Sequence, residues 1–241
     1  MTAVCTVFGA QAQARRLARV RARFPFVYVR ELTRTQGGRP IHALQLGQGQ
    51  TKLLIVGGHH ANESITSALC WALLERYCAA LEEGGMFGGV PASRLYYNTV
   101  LYLVPMLDPD GAALTAGELA PGSAEYAAAR AIAARYPDVR FPLGWKANLA
   151  GVDLNLNYPA GWQAAKTIKA GLGTTSPAPR DWGGGHPLDQ PETAALAAYT
   201  CCVHPDLVLA YHTQGGEIYH GWRGFEPPGS AKLAAAFAAA S

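Results

Sequence analysis

LLIVGGHHANES, residues 53 to 64, is the stretch from which the fold of this chain is read. Lys52 to Val56 is a short continuous apolar run, the pattern of a buried strand, and it ends in Gly57-Gly58. An amphipathic stretch from Glu63 to about Leu81 comes directly after and predicts a helix. A buried strand feeding a helix points to a layered α/β sheet. His59 and His60 fall in the turn between the two, at the carboxyl end of the strand, where ligand groups collect in such sheets. His60 and Glu63 stand three apart at the helix entrance, so an imidazole and a carboxylate project to one side and can reach one ion. His59 is a competing ligand with poorer spacing to Glu63. Asn62 either caps the helix or faces a ligand.

Upstream, residues 9 to 23 read as a short helix that Pro25 ends. Phe26 to Thr33 and Pro40 to Leu46 read as a hairpin around Gln36-Gly37-Gly38-Arg39. Downstream, Leu95 to Leu107 is expected to be a second buried strand, closed by a turn at Asp108-Pro109-Asp110-Gly111. Residues 123 to 135 read as an alanine-rich helix, and Tyr136 to about Gln190 as ordered irregular structure around a site. Pro191 opens another helix, and Leu207 to Tyr211 is expected to be a third buried strand delivering His212. In GVDLNLNYPAGW, residues 151 to 162, alternation would point Asp153, Asn155 and Asn157 to one face, unless the segment is an ordinary half-buried strand or turn.

With 241 residues, 49% hydrophobic and only 15% charged, the chain fits one compact domain, taken as residues 1 to 241. A formal charge of +3 is too small to argue for nucleic acid binding. Arg15, Arg16, Arg19, Arg21 and Arg23 form a basic cluster, either a solvated helix face or a surface for an anionic polymer such as cell wall. Cys5, Cys70, Cys78, Cys201 and Cys202 are odd in number and hold no C-x-x-C pair, so they read as reduced core thiols. The weak apolar stretch before the first arginines reverses the order of a secretory signal, and no run is long enough to span a membrane. A cytoplasmic location is therefore expected.

Six segments in order, GGRPIHALQLG, LLIVGGHHANES, VPMLDPDGA, WKANLAGVDLNLNYPAGW, QPETAAL and LAYHTQGGEIY, resemble the zinc carboxypeptidase superfamily over about Phe24 to Tyr219. The similarity is greatest to its bacterial γ-D-glutamyl-diamino-acid peptidases, which cut peptidoglycan stem peptides. The resemblance implies a three-layer α/β/α fold with a mixed, mostly parallel central sheet. It implies one zinc ion per chain, held by His60, Glu63 and His212, with a fourth position open to water or substrate. Asp153 falls where the family orients the first histidine ligand, and Lys146 where it places a cation for the tetrahedral oxyanion. Gln214 and Glu217 fall in the segment that borders the cleft in relatives, where Glu217 would meet the amine of a diaminopimelate substrate.

Two departures qualify the match. Digestive carboxypeptidases grip a terminal carboxylate with arginines where this chain has Asn62 and Leu156, leaving Asn155 as a polar contact. That shifts the expected substrate from protein C-termini to peptidoglycan-derived peptides. No motif after His212 resembles the strand that bears the family's general-base glutamate, so the chain reads as lacking the C-terminal part of the fold. An impaired enzyme is then expected, with Glu217 or Glu226 as substitute bases and an open sheet edge through which copies could pair. Two other readings compete: a zinc amidohydrolase of the aspartoacylase and succinylglutamate desuccinylase type, and a non-catalytic peptide-binding remnant.

Overall fold

The computed structural model describes residues 7 to 222 and 224 to 240. Cys5 lies outside them. Helix α1 (Ala10–Arg23) buries Gln13, Leu17 and Val20 at helical spacing and stops ahead of Pro25, with the Phe24 N–H donating to the Val20 carbonyl. The hairpin of β1 (Tyr28–Arg34) and β2 (Pro40–Gly47) forms where expected, and β3 (Thr51–Val56) leads through the His59-His60 turn into α2 (Ser64–Glu82). A small hairpin, β4 (Met86–Phe87) with β5 (Val90–Pro91), precedes α3 (Ala92–Asn98), and β6 (Thr99–Val104) returns to the main sheet. Next come α4 (Pro109–Thr115), α5 (Ala124–Ala133), α6 (Trp162–Gly171), α7 (Pro191–Val203), β7 (Leu207–Ala210) and α8 (Ser230–Ala240).

The main sheet runs β1-β2-β6-β3-β7. Its β1–β2 and β2–β6 pairings are antiparallel, and its β6–β3 and β3–β7 pairings are parallel. The sheet is mixed, as expected, with its parallel character confined to the half that carries the histidines. Period-two alternation sends Leu44, Leu46 and Ile55 to one face, against Leu17 and Val20 of α1 and Trp71 and Leu74 of α2. Ile41, Ala43, Leu54 and Val56 go to the other face, against Leu196, Tyr199 and Val203 of α7. The three-layer α/β/α build results from that division.

Several local expectations are corrected. Leu95 to Leu107 is not one strand: Ala92–Asn98 is helical, and the strand starts at Thr99. Side chains explain the break, because Asn98 Nδ2 donates to the Arg94 carbonyl and Thr99 Oγ1 to the Leu95 carbonyl. Asp108 to Gly111 is not a turn but the start of α4, with Asp108 accepting from the Gly111 N–H at 2.9 Å and proline in the first helical turn. The irregular region holds the ten-residue helix α6. β7 is not buried but alternates half-buried and exposed residues, because it is the edge strand.

Cys70 and Cys78 are buried, and burial pushes both thiols up to about 12, but Cys201 and Cys202 are exposed on α7. The arginine cluster is largely tied down: Arg16 and Arg19 pair with Glu75, and Arg23 pairs with Glu82, both on α2. Among the described residues no helix is long and apolar enough to cross a membrane.

Candidate metal centre

The turn after β3 is shaped by its backbone. Gly58 has φ +65, and a side chain there would press on Ser67 and the Met106 backbone. The Thr66 hydroxyl donates to the Glu63 carbonyl at 2.7 Å and accepts from the Gly58 N–H at 2.9 Å, fastening the turn to the first turn of α2. Glu63 is the N-cap residue of α2, one position before the first helical turn in which the sequence pattern puts it, and its side chain makes no capping bond. That leaves its carboxylate to point at His60. His212 arrives from the other side: β3 and β7 run parallel with Val56 opposite Ala210, so both histidines leave the same edge of neighbouring strands.

The three side chains converge. His60 Nδ1 lies 3.1 Å from Glu63 Oε1 and 3.1 Å from His212 Nδ1, and His212 Nδ1 lies 3.2 Å from Glu63 Oε2. Their donor atoms all fall within 4.8 Å of one another. Two imidazoles and one carboxylate form a donor set suited to an open catalytic zinc site. The surroundings fit an ion as well: Glu63 is buried, its Oε1 has no aligned hydrogen-bond donor, and two ring nitrogens face each other at a distance where only one can donate.

Charge supports the set. Burial would raise the Glu63 pKa, but the His212 and His60 imidazoles hold it down at about 2. Burial would lower His60, and the Asp153 and Glu63 carboxylates overcome it, so its pKa lies above the ordinary value. Asp153 is itself buried, yet His60 and then Lys146 keep its pKa lowered. Asp153 Oδ1 lies 3.1 Å from His60 Nε2, and Asp153 Oδ2 accepts from the Asp181 N–H at 3.2 Å, which fixes the ring that presents Nδ1.

His59 is turned away from the triad. Its Nε2 lies 3.2 Å from the Tyr158 hydroxyl, its buried Nδ1 has no partner, and burial followed by His212 and His60 lowers its pKa to about 3. Sequence reasoning misses Tyr158; the aromatic residue directly after Asn157 is its only signal. Lys146 Nζ stands 4.0 Å from Glu63 Oε1, and the Lys146 carbonyl accepts from the Ala61 N–H, strapping that segment to the histidine turn. Asn62 sits just before the helix with its Oδ1 buried and unpartnered, so it does not cap.

The remaining candidates are not gathered. Residues 154 to 156 form a 3-10 turn instead of an extended segment, so the expected alternation fails. Asp153 is buried against His60, Asn155 is exposed, and Asn157 is buried, binding the Gly183 and His186 carbonyls and Asp189. Gln214 and Glu217 are exposed, and Glu217 accepts from the Tyr219 hydroxyl at 2.6 Å. Glu226 is exposed as well.

Residues 15 to 235 match a peptidase family model described as zinc carboxypeptidase. The chain is 34% identical over 225 residues to γ-D-glutamyl-L-diamino acid endopeptidase 1 of Lysinibacillus sphaericus, covering 93% of this chain and 55% of that protein. It is 38% identical over 213 residues to the uncharacterized protein YqgT of Bacillus subtilis (strain 168), covering 87% of this chain and 54% of that one. The fold resembles the crystal structure of thrombin activatable fibrinolysis inhibitor with a TM-score of 0.70 at 16% identity, covering 95% of this chain and 54% of that one. The chain thus spans about half the length of the curated relatives it matches.

Proposed function

This chain belongs to the zinc carboxypeptidase family, and from that premise we propose that its His60, Glu63 and His212 hold one zinc ion for hydrolysis of γ-D-glutamyl to diamino-acid bonds in peptidoglycan stem peptides. The observation that carries the reading is the convergence of two imidazoles and a buried carboxylate within 4.8 Å. The substrate rests on the similarity to the endopeptidase of Lysinibacillus sphaericus.

Zinc, when bound, would acidify a water molecule and polarise the scissile carbonyl. The chain's own residues supply the rest. Asp153 holds the His60 ring so that Nδ1 faces the site. Lys146, 4.0 Å from Glu63, supplies a fixed cation for the negative charge that develops on the carbonyl oxygen. Asn62 offers an unpartnered buried oxygen beside the site for a substrate N–H. Asn155, Gln214 and Glu217 complete the proposed substrate contacts, with Glu217 directed to the ammonium of the diamino acid. Without an arginine at 62 or 156, no bidentate grip on an ordinary C-terminal carboxylate is available at those positions.

One observation favours a second reading, binding without turnover. Among the described residues the carboxylates that touch the triad side chains are Glu63 itself and Asp153, and Glu217 is engaged by Tyr219. The two readings separate in one experiment: zinc-loaded protein with a stem peptide containing γ-D-glutamyl-diaminopimelate, beside a hippuryl-type peptide. Cleavage of the stem peptide alone is expected. Saturable binding with no cleavage would select the second reading, and preference for the hippuryl peptide would overturn the substrate assignment.

A further inference from the structure

A second concavity adjoins the metal centre. It is a cavity of about 270 Å³ whose walls include Arg135, Tyr136, Asp138, Thr174, Arg180 and Asp181. None of its lining residues belongs to the metal triad, but it shares a wall with the centre. The segment 179 to 181 is that wall: the Pro179 carbonyl accepts from the Lys146 and Ala147 N–H groups at 2.8 and 2.9 Å, and the Asp181 N–H donates to Asp153. A ligand group in this cavity would therefore sit one backbone segment from the residues that orient His60.

Only part of the charge in the cavity lining is used. Asp181 is satisfied by Lys169 at 2.6 Å and by Arg180 Nε at 3.1 Å, so the terminal nitrogens of Arg180 are left over. Arg135 donates to Ser176 Oγ and to the Pro177 carbonyl, which fixes its guanidinium at the rim. Among the described residues Asp138 has no hydrogen bond or ion pair to any protein group. The lining thus offers a guanidinium fork and an unpaired carboxylate. A planar guanidinium fork suits a carboxylate, and a lone carboxylate suits an ammonium.

We propose that this cavity, between Arg180 and Asp138, is a binding site for a zwitterionic amino-acid head group, its carboxylate on Arg180 and its ammonium on Asp138. The cavity has room for a group of that size, and no purely anionic ligand uses Asp138. This site goes beyond the proposed function, in which Glu217 meets the substrate's ammonium, and concerns a ligand held separately from the metal centre.

The probe is free diaminopimelate, titrated calorimetrically into the full chain with and without chelator, because the metal centre could itself chelate an amino acid. Saturable binding that survives chelation is expected. Arg180→Gln and Asp138→Asn should each weaken it by roughly tenfold or more, the scale of one lost charge-assisted hydrogen bond. Arg180→Lys should restore part of the loss. Both residues are exposed, so the variants keep the fold. Absence of saturable binding up to millimolar probe, or binding indifferent to both variants, would overturn the site. Equal affinity for pimelate, which lacks the ammonium groups, would overturn the assignment of Asp138. The assay needs no bond cleavage, so the site stands or falls separately from the failure of the peptidase to cut γ-D-glutamyl peptides.

Discussion

His60 and His212 leave adjacent parallel strands at the same level, yet their surroundings differ. The first comes from β3, with neighbours on both sides, and His60, Glu63 and Asp153 are all nearly sealed from solvent. The second comes from the edge strand β7, and its side chain is 30% exposed. The chain beyond His212 is more exposed still: Tyr219, Trp222 and Phe225 face outward, and α8 buries none of its residues. One flank of the metal centre is preorganised by the core, and the other is a single ligand on an exposed arm. Ligands that look equivalent in sequence therefore carry different structural weight.

The largest effect that would break this comparison is on stability without metal. Removing His60 leaves Glu63 and Asp153 as buried charges short of a partner, so His60→Ala should cost about 3 to 5 kcal/mol. His212→Ala should cost less, about 1 to 2 kcal/mol, because it also strips a partner from buried Glu63 but leaves that carboxylate His60 and leaves Asp153 untouched. Denaturant unfolding of both chelated variants checks this; equal losses would contradict the asymmetry.

A second test sharpens the core side. Glu192, at the start of α7, is raised from 4.5 to about 7, mainly by burial. The folded state then holds its proton more tightly than the unfolded state, so the Glu192 contribution to stability is fully present below about pH 4.5 and is lost as pH rises through 7. The decline should be on the order of a few kcal/mol. Glu192→Gln should flatten that slope in denaturant titrations at several pH values, and an unchanged slope would refute the assignment.

How much of the fold and site is legible in sequence divides along the same line. The β3 strand, the His60 to Glu63 spacing and the α2 helix can be read because a buried apolar run and helical periodicity are local signals. Asp108 reads as a turn residue because the same Asp-Pro chemistry serves turns and helix caps, and only the Gly111 N–H decides between them. The 152 to 157 alternation misleads because three polar residues cannot distinguish a strand from a 3-10 turn. The pairing of Arg16 with Glu75 and the Asp181 N–H on Asp153 join residues far apart in sequence and leave no local trace. The exposure of β7 is hidden for a related reason: an apolar run says that a strand can be buried, not that a neighbour covers it.

Smaller effects probe the two flanks further. Asp153→Asn keeps the ligands but weakens the hold on the His60 ring, so zinc affinity should drop about 10-fold to 100-fold in a competition titration. No change would mean that the ring is oriented by packing alone. In amide exchange, α8 should exchange early, since eleven helical residues with no buried face are marginal in water, while the centre of α2 should exchange only with global unfolding. Equal protection of the two helices would erase the contrast.

The most direct test of the metal centre is the zinc content of purified protein, reconstituted with zinc and freed of excess, measured for the wild type, His60→Ala and His212→Ala. One zinc per chain is predicted in the wild type and strong loss in each variant, although His60→Ala loses more stability than His212→Ala. Unchanged zinc content in both variants would contradict the assigned centre.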